Sequence, residues 1–236
     1  MPDNPPHSRA AGKTRDRTVA RTVYDTLRRR ILDLDLVPDT TLSRTELAKD
    51  FQVSLTPLRD ALQLLEQDGL VRIFPQSRTL VTRIDRRDLL ETHFLRVAAE
   101  TEVVRRLARR PDMPALKTAR ACLDKQTVLV ARPGRMDRFS DLDRQFHLAL
   151  FEGVGMGNVH AMLQRKLGSI LRCQRLDLPS PGKLQEIVAG HKDILDRIEA
   201  ADPEGAAGAM RAHLSGSISR VSALRNKFPD YFVAED

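Results

Sequence analysis

Only two cysteines occur in 236 residues, Cys122 and Cys173, far apart and without metal-site spacing. That scarcity excludes a disulfide-stapled scaffold and predicts two reduced core thiols in a cytoplasmic protein. No apolar run approaches the ~20 residues that span a bilayer, and the N-terminus has no apolar segment. Neither a membrane span nor a secretory signal is therefore expected. Strand signals vanish after Asp85. There is no sequence repeat, and the heptads are too short for an extended coiled coil.

Hydrophobic residues make up 41% of the chain and charged residues 30%, which allows a packed core and excludes global disorder. The formal charge of +7 favours an anionic partner. It does not identify one, because the excess is spread. Up to Ile84 there are 14 Lys and Arg against 11 Asp and Glu, and beyond it 25 against 21. An argument for nucleic acid must rest on a motif.

Residues 1–16 hold Pro2, Pro5, Pro6 and Gly12 with almost no large apolar side chain, and read as a flexible basic tail. A helix follows from near Thr18, with Val19, Val23, Leu27 and Ile31 on one face. Pro38 ends that segment. Ser43 and Glu46 form a capping box ahead of Leu47, Ala48 and Phe51. Ser54 is placed to cap the next helix, Pro57 lies in its first turn, Leu58, Leu62 and Leu65 form its buried stripe, and Gly69 ends it. Two short strands, 71–74 and 79–82, flank the turn 75–78. Two short helices, a tight turn and a hairpin are the plan of a winged helix-turn-helix, predicted over 17–83.

Six amphipathic stretches follow, roughly 86–110, 114–131, 135–153, 157–176, 183–200 and 203–227, separated by Pro and Gly breaks. The fold class is therefore mainly α: the N-terminal winged helix-turn-helix, then an all-helical antiparallel bundle over 84–228, with a C-terminal tail over 229–236.

The helix after Ser54 is the expected recognition helix. Ser54 and Thr56 suit phosphate or base contacts, and Arg59 lies one turn further in, where a guanidinium can grip guanine O6 and N7. Arg44, opening the preceding helix, is placed for a groove or backbone contact, and Arg78 in the wing for the minor groove. In the bundle, Asp143 and His147 stand one turn apart on one helix face. With His191 and His213 on the last two predicted helices they make a one-carboxylate, three-nitrogen set suited to zinc, nickel, manganese or iron, with open positions.

Residues 18–82 carry a specific pattern: Leu42-Ser43-Arg44, Leu47-Ala48, Val53-Ser54, Thr56-Pro57, Arg59, Ala61-Leu62, Leu65-Glu66 and Gly69-Leu70-Val71. It resembles the winged helix-turn-helix of GntR-type transcription regulators. Leu55 departs from an expected Arg, Asp39 from Gly, and Arg78 from Gly at the wing tip. Residues 86–227 resemble the FCD effector domain of the FadR-like subfamily. The matching residues are Asp143-x-x-Phe146-His147, Asn158, Glu186-x-x-x-Gly190-His191, Ile194-Leu195, Ile198 and Met210-Arg211-x-His213-Leu214. Gly190 stands where an acidic residue is usual. The resemblance implies that Asp143, His147, His191 and His213 hold a metal, and that the metal holds the carboxylate of a small organic acid. Arg96, from an Arg-x-x-x-Glu signature with Glu100, is the candidate for the same carboxylate; a salt bridge with Glu100 is its alternative. Arg172 and Arg175 are further candidates.

These readings converge on a metabolite-responsive transcription repressor that is not an enzyme and binds a palindromic DNA operator as a homodimer. A metal-sensing regulator is the alternative. A metalloenzyme with a DNA-binding appendage is a further one, although no general base stands beside the predicted site.

Overall fold

The structure, a computed structural model, describes residues 8–75, 77–110, 114–132, 134–216 and 218–234, with side chains from residue 17 onward. The chain divides into two compact units, residues 1–83 and 84–236. No helix among the described residues is long and apolar enough to cross a membrane.

In the first unit, helix α1 spans Ser8–Leu32, α2 Arg44–Asp50 and α3 Leu55–Gln67. Strands β1 (Val71–Ile73) and β2 (Thr79–Val81) pair antiparallel with Arg72 opposite Leu80. The stripe Val23, Leu27 and Ile31 of α1 and the stripe Leu58, Leu62 and Leu65 of α3 are buried, as periodicity requires. Helix α1 begins before Thr18: the backbone is helical from Ser8, through Ala10 and Ala11, which favour helix without any apolar face that a pattern could register. Residues 1–7 of the expected tail lie outside the described residues.

The caps divide. Ser43 Oγ accepts from Glu46 N at 3.3 Å, so half of the capping box forms. Ser54 makes no side-chain cap hydrogen bond, contrary to expectation, which leaves its hydroxyl exposed at the start of α3. The residues before α2 extend the small sheet. Asp39 N donates to Val81 O at 2.9 Å and Leu42 N to Thr79 O at 2.7 Å, so β2 has partners on both sides. Asp39 sits at φ +65, a conformation natural to glycine, which explains why a glycine is usual there. Aspartate tolerates it better than most residues, and its carboxylate holds Arg83 at 2.7 Å. Arg78 is not at positive φ. Its carbonyl accepts from Phe74 N at 2.8 Å, and its guanidinium lies 5.3 Å from the Phe74 ring centroid.

The second unit holds α4 (Arg86–Ala108), α5 (Pro114–Val130), α6 (Met136–Gly153), α7 (Gly157–Lys166), α8 (Gly168–Asp177), α9 (Lys183–Glu199), α10 (Pro203–Ser215) and α11 (Val221–Lys227). Two predicted helices are each divided. The stretch 157–176 breaks at Leu167, and 203–227 breaks after Ser215. The first break escapes periodicity because Leu163, Leu167, Ile170 and Cys173 stay buried across it.

The expected tail is also partly structural. After a 3-10 turn at Pro229–Tyr231, Phe232 bridges to Ile84; Ile84 N donates to Tyr231 O at 2.8 Å and Val233 N to Ile84 O at 3.0 Å. Phe232 is buried in the helical core. Phe232→Ala is expected to destabilise the helical unit by roughly 3–5 kcal/mol, read as a lower urea midpoint with unchanged slope.

Candidate functional site

The candidates for DNA contact lie on α2, at the start of α3 and in the wing. Arg59 is exposed on α3, one turn in from the exposed Leu55 and Thr56, and Arg44 opens α2 half-buried. Among the described residues no side-chain hydrogen bond or ion pair engages Arg44 or Arg59, so both guanidiniums are available to an anion. Glu66, on the same helix, accepts from Ile73 N at 2.7 Å and so ties the hairpin to α3. Tyr24 of α1 donates to Asp68, the residue that caps α3, and burial together with this bond pushes the phenol up to about 12.

In the helical unit Asp143 and His147 on α6, His191 on α9 and His213 on α10 converge, with one ligand atom from each lying within 4.8 Å of all the others. The His191 and His213 rings are 4.6 Å apart between centroids, and His147 lies 5.5 and 5.4 Å from them. Phe146 stacks on His191 at 3.8 Å and 13°, which fixes the plane of that ring.

Two side chains orient the imidazoles. Gln126 of α5 accepts from His191 Nδ1 at 2.8 Å, so Nε2 carries the lone pair. That Nε2 is buried without a hydrogen-bond partner, 3.4 Å from Asp143 Oδ1. Glu100 of α4 faces His147 Nδ1 at 2.5 Å, while Arg96 pairs with Glu100 at 2.7 Å and reaches His147 Nε2 at 3.2 Å. The salt-bridge alternative for Arg96 is thus realised, inside the cluster itself. Burial pushes the Glu100 carboxyl up, but Arg96 and His147 outweigh it and hold the group well below the usual carboxylate range. Burial, then neighbouring cationic and imidazole groups, push His191 and His213 well below the usual imidazole range. Both are neutral at pH 7, the form that ligates metal.

The donor set fits a transition metal. Ligands ~2.1 Å from one ion stand at most ~4.2 Å apart, so the cluster needs only a small contraction. Gln126 supplies an outer hydrogen bond to His191 and Arg96 one to His147, while Glu100 lies against the other nitrogen of His147; partners of this kind orient a histidine for a metal.

Arg172 and Arg175 have other surroundings. Arg172 is buried on α8 and donates to Gly168 O at 3.3 Å; desolvation lowers it to about 10, against Cys173 and Asp88. Arg175 pairs with Asp137 at 2.7 Å. Sequence reasoning missed Gln126 altogether. It also saw Glu100 only as a partner of Arg96, because nothing in residue spacing ties α4 or α5 to a histidine on another helix.

A winged helix-turn-helix followed by a helical domain with a polar, ligand-ready centre defines a DNA-binding transcription regulator. Residues 19–81 match the gntR family of bacterial regulatory proteins and residues 91–216 match the FCD domain, and the chain belongs to that family. An HTH-type transcriptional regulator in an unstable DNA locus of Streptomyces ambofaciens is 34% identical over 227 residues, 94% of this chain and 93% of that protein. The HTH-type transcriptional repressor RspR of Escherichia coli (strain K12) is 26% identical over 217 residues, 92% of this chain and 95% of that one. The solved structure of E. coli McbR/YncC shares the fold with a TM-score of 0.72 at 22% identity, covering 89% of this chain and 98% of that one.

His160, packed against the Phe151 ring, titrates unusually: burial lowers it to about 4. The unfolded chain takes up that proton below pH ~6.5, the folded one only near pH 4. Stability is therefore full above pH ~6.5 and falls as pH drops toward 4. His160→Gln is expected to flatten the fall in melting temperature across that window.

Proposed function

We propose that this regulator represses transcription from a palindromic operator as a homodimer, and that a small organic acid bound in the helical unit changes its operator affinity. One observation carries the effector half of the reading: four ligand-type side chains converge within 4.8 Å, and one of them, His191, buries a lone-pair nitrogen that has no hydrogen-bond partner. A buried unsatisfied nitrogen costs ~1–3 kcal/mol, and a divalent cation removes that cost. Zinc, nickel, manganese or iron suits the donor set; bound there, such an ion supplies open positions for a carboxylate.

Arg96 stands beside His147, one of the four side chains, and is held by Glu100. A guanidinium has five donors in a rigid fork, so Arg96 can hold Glu100 and take an acid's carboxylate together. Repression is supported by the relative named as a repressor. The homodimer is supported by Leu90 and Phe94, both exposed one turn apart on α4, where an apolar face invites a second copy. Its place of action is the cytoplasm, where the DNA lies. Coupling of operator and effector binding is typically ~1–3 kcal/mol, a several-fold to hundred-fold change in affinity.

Two experiments test the reading. Arg59→Ala is expected to weaken operator binding by ~1–3 kcal/mol if the guanidinium grips a base; unchanged affinity in a gel-shift titration would remove the recognition-helix assignment. For the effector site, a thermal-shift screen of metal-loaded protein against small mono-, di- and sugar-acid carboxylates is repeated after chelation. A ligand at 100 times its Kd stabilises by ~2.7 kcal/mol. The expected hit disappears on chelation and in His191→Ala. Metal-dependent stability with no hit would favour the metal-sensing alternative, and indifference to both metal and acid would dismiss the site.

A further inference from the structure

Leu55 is the first residue of α3, and it is 59% exposed. Among the described residues of the DNA-binding unit, the other exposed large apolar side chains, Val37 and Leu64, are each 37% exposed. The core does not need it: Leu58, Ala61, Leu62 and Leu65 complete the buried stripe of the helix. A single exposed leucine is ordinary on a protein surface, but this one has a particular setting. It shares a stripe with Arg59 and Gln63, spaced i, i+4 and i+8, and is flanked by the exposed hydroxyls of Ser54 and Thr56. Arg59 on the same stripe and Arg44 on α2 are cations with no partner of their own among the described residues. The N-terminal residues of a recognition helix are the ones that meet base edges in the major groove.

The major groove offers one apolar group, the C5 methyl of thymine. We propose that Leu55 reads that methyl, so that each operator half-site requires thymine at the base it meets. This rests on the DNA-binding reading of the N-terminal unit. The discrimination follows from what the other bases put at the same place. Guanine presents two acceptors, and cytosine and adenine present an amino donor; an isobutyl group pressed against any of them strips water from a polar atom and returns no hydrogen bond. An arginine at position 55 would invert the preference toward guanine.

The test uses the full chain. An operator is first selected from a library of random-sequence duplexes. Each thymine of that operator is then replaced singly by deoxyuridine, which removes the methyl and keeps the pairing edge. One buried methyl-sized group is worth ~0.8 kcal/mol, about fourfold in affinity. One thymine per half-site is therefore expected to show a loss of about fourfold with the unaltered protein. Leu55→Ala is expected to bind the thymine and deoxyuridine forms alike, and Leu55→Arg to select guanine at that base. Because Leu55 is exposed, neither substitution disturbs the core. An operator with no deoxyuridine-sensitive thymine would overturn the proposal, as would a Leu55→Ala protein that keeps the full penalty. In both cases specific binding survives, so the DNA-binding reading stands. A library from which no sequence is enriched would overturn that reading, and this proposal with it.

Discussion

The buried pair of Arg96 and Glu100 is the constraint on which the helical unit depends. Both side chains are nearly inaccessible, one turn apart on α4, and joined at 2.7 Å. Taking a lone carboxylate or guanidinium into a bundle core costs several kcal/mol, and pairing offsets that only with good geometry and further hydrogen bonds. Arg96 obtains a further bond by donating to His147 Nε2, and Glu100 lies against the Nδ1 side of the same ring. The charge pair therefore sets the orientation of one imidazole of the cluster. Packing passes the order on: α4 lies against α6, α9 and α10, the three helices that carry Asp143, His147, His191 and His213. A core that had to satisfy only hydrophobic burial would have no reason to hold these side chains in one arrangement.

The same logic separates the parts of the structure that were legible in the sequence from those that were not. Stripes such as Val23, Leu27 and Ile31, or Leu58, Leu62 and Leu65, announce helices because burial of one face repeats with the helical period. Asp143 and His147 were legible as a pair for the same reason, since one turn of helix puts them together. His191 and His213 required the resemblance as well, because spacing along the chain does not say that α9 and α10 bring their histidines to α6. Gln126 was not legible: its meeting with His191 spans 65 positions and depends on how α5 packs on α9. The breaks at Leu167 and after Ser215 were hidden where the apolar pattern ran on. The pairing of Ile84 with Phe232 joins the two ends of the helical unit, and no local signal marks it.

The departures from the family pattern also take on physical meaning. Asp39 occupies a left-handed conformation that glycine would adopt freely, and its carboxylate gains Arg83 in return. Arg78 has ordinary backbone geometry, so a glycine is not required there, and its guanidinium rests on Phe74. Neither substitution disturbs the paired strands of the wing.

Gly190 is the most consequential departure. It lies within α9, where glycine weakens a helix by roughly 0.5–1 kcal/mol relative to alanine. A Cβ at this position would stand 2.8 Å from His213 Nδ1 and 3.4 Å from the Cβ and Cγ of that residue. The imidazole of α10 thus lies directly against the backbone of α9, in space that any side chain at position 190 would fill. An acidic residue, usual in the resembling proteins, would need His213 to move. The helix accepts a weaker local propensity, and the His213 ring comes within 4.6 Å of His191 between centroids. Gly208, within α10, gives the contrast: a Cβ there would meet nothing within 4 Å, so its lack of a side chain makes room for no such neighbour. At position 190 the missing side chain makes the space in which the four-residue cluster closes.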